Sequence, residues 1–98
     1  MRILLIEDHQ RLAQSIVEGL AGFGFRIDFF ETAGDGLAAA KSMTYDALIL
    51  DLGLPDRDGL ELLHELRSAA SRLPILILSA RDGIDDRVDG LDLSLIHI

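Results

Sequence analysis

Three apolar runs in this chain each stop at a side chain able to do chemistry. Ile3-Leu4-Leu5-Ile6 is cut off by Glu7-Asp8, Ala47-Leu48-Ile49-Leu50 by Asp51, and Ile75-Leu76-Ile77-Leu78 by the hydroxyl of Ser79. Carboxylates gathered in one pocket repel one another unless a cation lies between them. A set of oxygen ligands with room left for water suits Mg²⁺, which also accepts phosphate oxygens into its shell. A hydroxyl beside such a site can bind one of those oxygens. Taken singly, each acid reads equally well as a solvated charge ending a strand. The elements that carry them decide between the two.

A short all-apolar run between turn signals suits a strand buried on both faces, although periodicity alone also allows a buried helix segment. Gly53, Pro55 and Gly59 break regular structure after Asp51, which favours a strand ending there. Between the first two runs, Leu12, Ile16 and Leu20 recur at helical spacing with Ala13 and Val17 beside them, and Gly22 and Gly24 stop the pattern. Phe25 to Phe30 alternates like a strand with one wetter face, as at a sheet edge. Thr32 with Asp35 resembles a capping box for a helix through Lys41, in which Gly34 and Gly36 each cost about 1 kcal/mol against alanine. Asp58 and Glu61 open a third helix with a Leu60, Leu63, Leu66 stripe and Leu62 beside it. Asp82 is placed to cap a fourth, carrying Ile84, Val88 and Leu91.

Alternating strands and helices imply parallel strands, right-handed crossovers and helices on both faces. The expected fold class is α/β, a flavodoxin-like doubly wound parallel sheet with four βα units present and the fifth strand and helix missing. In the strand order 2-1-3-4-5 the first and third strands are neighbours at the switch point. Glu7, Asp8 and Asp51 would then share one pocket at the carboxyl edge of the sheet.

With 98 residues, 49% of them hydrophobic and 27% charged, the chain has the composition of one globular domain. Acids outnumber bases 17 to 9. That excess argues against direct contact with nucleic acid or an anionic membrane and suits cationic partners or a divalent metal. Without cysteine there is neither a disulfide framework nor a thiolate nucleophile. The first apolar run is too short for a signal peptide or a membrane span, so the expected compartment is the cytoplasm.

The stretches MRILLIEDH, LILDLGLPDRDGLELL and LPILILSARD resemble the receiver domain of two-component response regulators. DGLELL and SARDGIDDRVDGLD are most similar to the subfamily whose full-length members add a winged-helix DNA-binding domain. The resemblance covers Met1 to Asp92. It implies that Asp51 is the phosphoacceptor, that Glu7 and Asp8 are the acidic metal pair, and that Gly53 adds a backbone carbonyl to the Mg²⁺ site. It further implies that Ser79 contacts the phosphoryl group and moves on activation, with Ala80 the small residue beside it. The implied partner is a sensor histidine kinase, and DNA would be bound only through a winged-helix domain not present in these residues. The implied role is that of a signalling phosphoacceptor and not of an enzyme.

Three other residues invite a role. His9 adjoins Asp8, but reads better as the first residue of a helix at the pocket rim. His64 lies on the polar flank of the third helix and is expected to face solvent. Arg81 follows Ser79 closely enough to reach phosphate, but as a loop charge it would sooner pair with Asp82 or Asp85.

The sequence departs from the family after Asp92. The resemblance implies a fifth strand, a lysine that pairs with the phosphate, a switch aromatic and a fifth helix. Here the only lysine is Lys41, all aromatics precede the loop after Asp51, and the chain closes on LSLIHI. The domain reading is therefore a truncated receiver over residues 1–92, with 93–98 a non-native tail and most of a homodimer face missing. One codon choice for the tail, CTG-TCT-CTT-ATA-CAC-ATC, coincides with a transposase end sequence of sequencing-library adapters. A natural frame can also spell six such residues. The tail is expected not to pair with the fourth strand, because it follows the fourth helix almost directly. Impaired function is the consequence.

Two other classes fit less well. Aspartate-based phosphatases resemble Asp-x-Asp, with the second acid protonating the leaving group; Asp51-Leu52-Gly53 lacks it. A flavin-binding module would need a hydroxyl-rich phosphate loop where Glu7-Asp8 stands.

Overall fold

A computed structural model describes residues 1–51, 54, 56, 58–69, 72–79 and 94–97; at 59, 60, 69, 79 and 94–97 it describes the backbone only. Strand β1 (Arg2–Ile6) leads to helix α1 (Gln10–Ala21), β2 (Arg26–Phe30), α2 (Ala33–Ser42), β3 (Ala47–Asp51), α3 (Gly59–Ala69), β4 (Ile75–Ser79) and β5 (Ser94–His97). The sheet has the order β2-β1-β3-β4-β5, every neighbouring pair parallel.

The apolar runs are strands because both faces of this sheet are covered. Leu4, Ile6, Leu48, Leu50, Ile75 and Ile77 pack toward α2 and α3 with Leu62, Leu63 and Leu66. The alternate residues Ile3, Leu5, Ile49 and Leu78 pack toward α1 with Ala13, Leu12, Ile16 and Leu20. At the expected edge, β2 divides its side chains in the same way: Ile27 and Phe29 join the α1 side and Phe30 the other. Gly24 takes φ 85°, the left-handed turn that carries the chain from α1 into β2.

One expectation is overturned at the far edge. Ser94–His97 forms a fifth strand, in register Leu76↔Ser94, Ile77↔Leu95, Leu78↔Ile96 and Ser79↔His97. Parallel neighbours need a connection of about a dozen residues or more, and residues 80–93 supply it. Pairing is made by backbone groups, so an alternating apolar segment within reach is enough to occupy an open edge. The helix expected from Asp82 through Leu91 lies outside the described residues.

Gly36 has a packing reason. A Cβ built there would run into Cδ1 and Cγ1 of Ile6, a fully buried side chain on β1. α2 can approach the sheet this closely only through glycine. On helix propensity alone Gly36→Ala would gain about 1 kcal/mol; overpacking a core typically costs about 1–3 kcal/mol. The expected net result is a lower urea midpoint, and an unchanged or raised midpoint would show that Ile6 yields without cost.

Candidate acidic site at the carboxyl edge of the sheet

β1 and β3 are direct neighbours, with Ile6 opposite Leu50, so Glu7 after β1 and Asp51 at the end of β3 emerge side by side. Glu7, Asp8 and Asp51 can each present a carboxylate oxygen such that all three lie within 4.8 Å of one another. The three differ in setting: Glu7 is 2% exposed, Asp51 half-buried and Asp8 exposed. The Glu7 backbone N–H donates to Phe30 O at 3.1 Å, which ties the end of β1 to β2. Its side chain accepts the His9 N–H at Oε1, 2.9 Å away. Oε2 is enclosed and has no hydrogen-bond partner.

Burial pushes the Glu7 carboxyl up to about 7, and the negative charges of Asp51 and Asp8 add to the rise; the His9 N–H opposes it. A buried carboxylate gathered with two further carboxylates has the character of a cation ligand. The donor set is all oxygen, hard and anionic, and fits Mg²⁺.

His9 caps α1, as expected of a rim position. Its Nδ1 accepts the Leu12 N–H at 3.3 Å, so the ring serves the helix end and not the acids. His64 is exposed on α3. Lys41 stands in the last turn of α2, at the end remote from the acids. The backbone of Ser79 ends β4 beside β3, where Leu78 pairs with Asp51. Gly53, Ala80, Arg81, Asp82 and Asp85 lie outside the described residues. Among the described residues no helix is long and apolar enough to cross a membrane.

The sequence reading missed Asp56. Its Oδ1 accepts the Ala33 N–H at 2.9 Å and its Oδ2 the Gly34 N–H at 3.0 Å, so an acid of the β3–α3 loop caps α2. Only a coarse topological signal existed, and no local pattern named the residue. In a doubly wound sheet, helix N-termini and strand carboxyl ends share an edge, and an acid in a loop there is within reach of exposed N–H donors.

The model of the response regulator receiver domain matches residues 3–97. The chain belongs to that family. It is 50% identical over 91 residues to the transcriptional regulatory protein QseB of Haemophilus influenzae, an alignment covering 93% of this chain and 41% of QseB. It thus spans well under half the length of such curated relatives. Among solved structures, the receiver domain of HemR from Leptospira biflexa, in its non-phosphorylated state, superposes with a TM-score of 0.88 at 30% identity, over 98% of this chain and 80% of that one. The response regulator TrrA from Thermotoga maritima, in complex with Mg²⁺-BeF, gives 0.85 at 29% identity, over 99% and 86%. Receivers of this family are phosphorylated on aspartate in two-component signalling, and this receiver carries the acidic cluster such a site needs.

Proposed function

We propose that Asp51 is the phosphoacceptor of this receiver, taking a phosphoryl group from a phosphohistidine on a sensor histidine kinase in the cytoplasm. The observation that carries the reading is the convergence of the Glu7, Asp8 and Asp51 carboxylates, one oxygen of each within 4.8 Å of the others, with Glu7 almost fully buried. Glu7, Asp8, Asp51 and the backbone carbonyl of Gly53 would hold Mg²⁺. Bound there, the ion supplies charge neutralisation for the phosphoryl oxygens in flight. An Asp51 carboxylate oxygen attacks phosphorus; an O–P bond forms as the P–N bond breaks, and the electron pair leaves with the imidazole nitrogen, which takes up a proton. The product is an acyl phosphate. Ser79 is assigned the hydroxyl contact to it. β1 and β3 hold the attacking and ligating carboxylates in fixed relation, so the chain's own contribution is positioning.

No lysine stands near the acids, because Lys41 closes α2 at the other end. We therefore expect acceptance to be slow in this chain. Full-length relatives are named as transcriptional regulators; the corresponding output here would be DNA binding by a winged-helix domain outside these residues. The test is incubation with acetyl phosphate and Mg²⁺, followed by mass spectrometry of the Asp51 peptide. The expected result is a phosphoryl adduct that needs Mg²⁺ and vanishes in Asp51→Ala. Labelling that persists in Asp51→Ala sinks the assignment.

We further propose that residues 93–98 are not native. The family match extends to residue 97 and does not by itself set the tail apart. The underlying DNA decides: any codon choice other than the adapter's removes the explanation.

A further inference from the structure

The first turn of α2 is capped from two sources. Thr32 Oγ1, the helix's own N-cap, accepts the Asp35 N–H at 3.3 Å. The Ala33 and Gly34 N–H groups are instead taken by Asp56, more than twenty residues on in the sequence. Asp56 sits five positions beyond Asp51, in the loop that leaves the acidic site and returns to start α3. That loop has a second anchor in Leu54, which is buried in the core between the sheet and α2–α3. α2 in turn is seated hard on β1, since Gly36 lies against Ile6, the residue before Glu7. The two carboxylate hydrogen bonds therefore join the loop after Asp51 to a helix whose position is referenced to the strand that carries Glu7 and Asp8.

We infer that Asp56 is a positioning residue for the acidic site: its two-oxygen clamp on the α2 N-terminus holds the start of the β3–α3 connection so that Asp51 meets metal and phosphoryl group together with Glu7 and Asp8. This rests on the reading of Asp51 as phosphoacceptor. A carboxylate at a helix N-terminus is favoured by both the exposed donors and the helix dipole. The geometry also separates this role from simple capping. Thr32 caps the same helix turn from within its own segment, by accepting the Asp35 N–H, so the two caps should cost comparable stability and differ in their effect on the site.

The experiment compares Asp56→Ala, Asp56→Asn and Thr32→Ala in the 98-residue chain. Three quantities are read: the thermal midpoint, the Mg²⁺ dissociation constant by calorimetry, and the rate of Asp51 labelling from acetyl phosphate at saturating Mg²⁺. Both alanine variants should melt at lower temperature. Asp56→Ala should weaken Mg²⁺ binding several-fold and slow labelling by about tenfold, the scale expected when a reacting group loses its placement. Thr32→Ala should leave both within about twofold, and Asp56→Asn, which keeps one acceptor oxygen, should recover part of the loss. In a Mg²⁺ titration followed by amide NMR, the Ala33 and Gly34 resonances should shift in the unaltered chain and stop responding in Asp56→Ala. Equal effects of Asp56→Ala and Thr32→Ala on Mg²⁺ affinity, or unresponsive Ala33 and Gly34 amides, would overturn the inference. If the unaltered chain binds Mg²⁺ but Asp51 takes no phosphoryl group, the phosphoacceptor reading falls, while affinity and amide shifts still decide the role of Asp56. A folded chain that binds no Mg²⁺ overturns both.

Discussion

A chain ending at Leu93 is expected to melt 10 °C or more below the 98-residue chain and to scatter light at concentrations where the longer one does not. β5 pairs four residues with β4, from Leu76↔Ser94 to Ser79↔His97. Each ladder hydrogen bond is worth about 0.5–1.5 kcal/mol net, so losing about four costs on the order of 2–6 kcal/mol. For a domain of this size about 1 kcal/mol moves the midpoint by about 4–8 °C. The loss is a large share of the 5–15 kcal/mol that a domain typically has. Removing β5 also turns Ile75–Ser79 into an edge of backbone donors and acceptors flanked by apolar side chains, a template for association. Circular dichroism melts and light scattering check this. Because the pairing is made by the backbone, replacing LSLIHI by another alternating strand former should preserve the midpoint, and a glycine-serine hexapeptide should behave as the deletion does. Coincident melts of the shortened and the 98-residue chains would show that β5 contributes nothing.

That strand also marks where the sequence stopped being a guide. The three apolar runs and their helical intervals were legible because burial on both faces leaves a continuous apolar stretch: Leu48-Ile49-Leu50 reads as a central strand once Gly53 and Pro55 close it. The meeting of Glu7, Asp8 and Asp51 was legible only through the flavodoxin-like order 2-1-3-4-5, which makes the first and third strands neighbours; alternation and crossover handedness alone do not fix that order. For LSLIHI the sequence offered only its distance from an expected helix and an expected departure from the family, whereas the family match runs to residue 97. Neither consideration governs an open sheet edge, which accepts any alternating backbone that can reach it. Asp56 and Gly36 were illegible for another reason. Asp56 has meaning only against the Ala33 and Gly34 amides, and Gly36 only against Ile6. Such contacts join residues far apart in sequence, and no local pattern encodes them. His9 sits between the two cases: a rim position follows from its neighbours, but the use of Nδ1 on Leu12 needed coordinates.

The burial of Glu7 leads to the second large effect, an opposite response to pH with and without Mg²⁺. The Glu7 carboxyl is raised from an ordinary 4.5 to about 7, chiefly by burial. Between those two values the folded chain keeps a proton that the unfolded chain has released. By linkage, folding stability must then fall as pH rises through this window and level off above about 7. Raising a titration midpoint by one pH unit corresponds to about 1.4 kcal/mol, which bounds the loss at about 3 kcal/mol. Below about 4.5 the group is protonated in both states and contributes no slope. Mg²⁺ reverses the sign, because the cation requires the deprotonated site and binds only the folded chain. Its apparent affinity should rise by nearly tenfold per pH unit from 5 to 7 and then reach a plateau. Glu7→Gln removes this carboxyl and with it its coupling to Asp51 and Asp8. The amide oxygen can still accept the His9 N–H, and the amide nitrogen can donate toward Asp51. The variant should therefore be the more stable form at pH 8 in chelator, lack the slope between pH 5 and 7 that the parent shows, and gain little from Mg²⁺. Urea midpoints across that range, in chelator and in Mg²⁺, make the measurement. A parent midpoint in chelator that is flat from pH 5 to 8, or a Glu7→Gln variant that keeps the same slope, would mean that Glu7 does not hold its proton in the folded state and that the acidic site is wetter than its geometry implies.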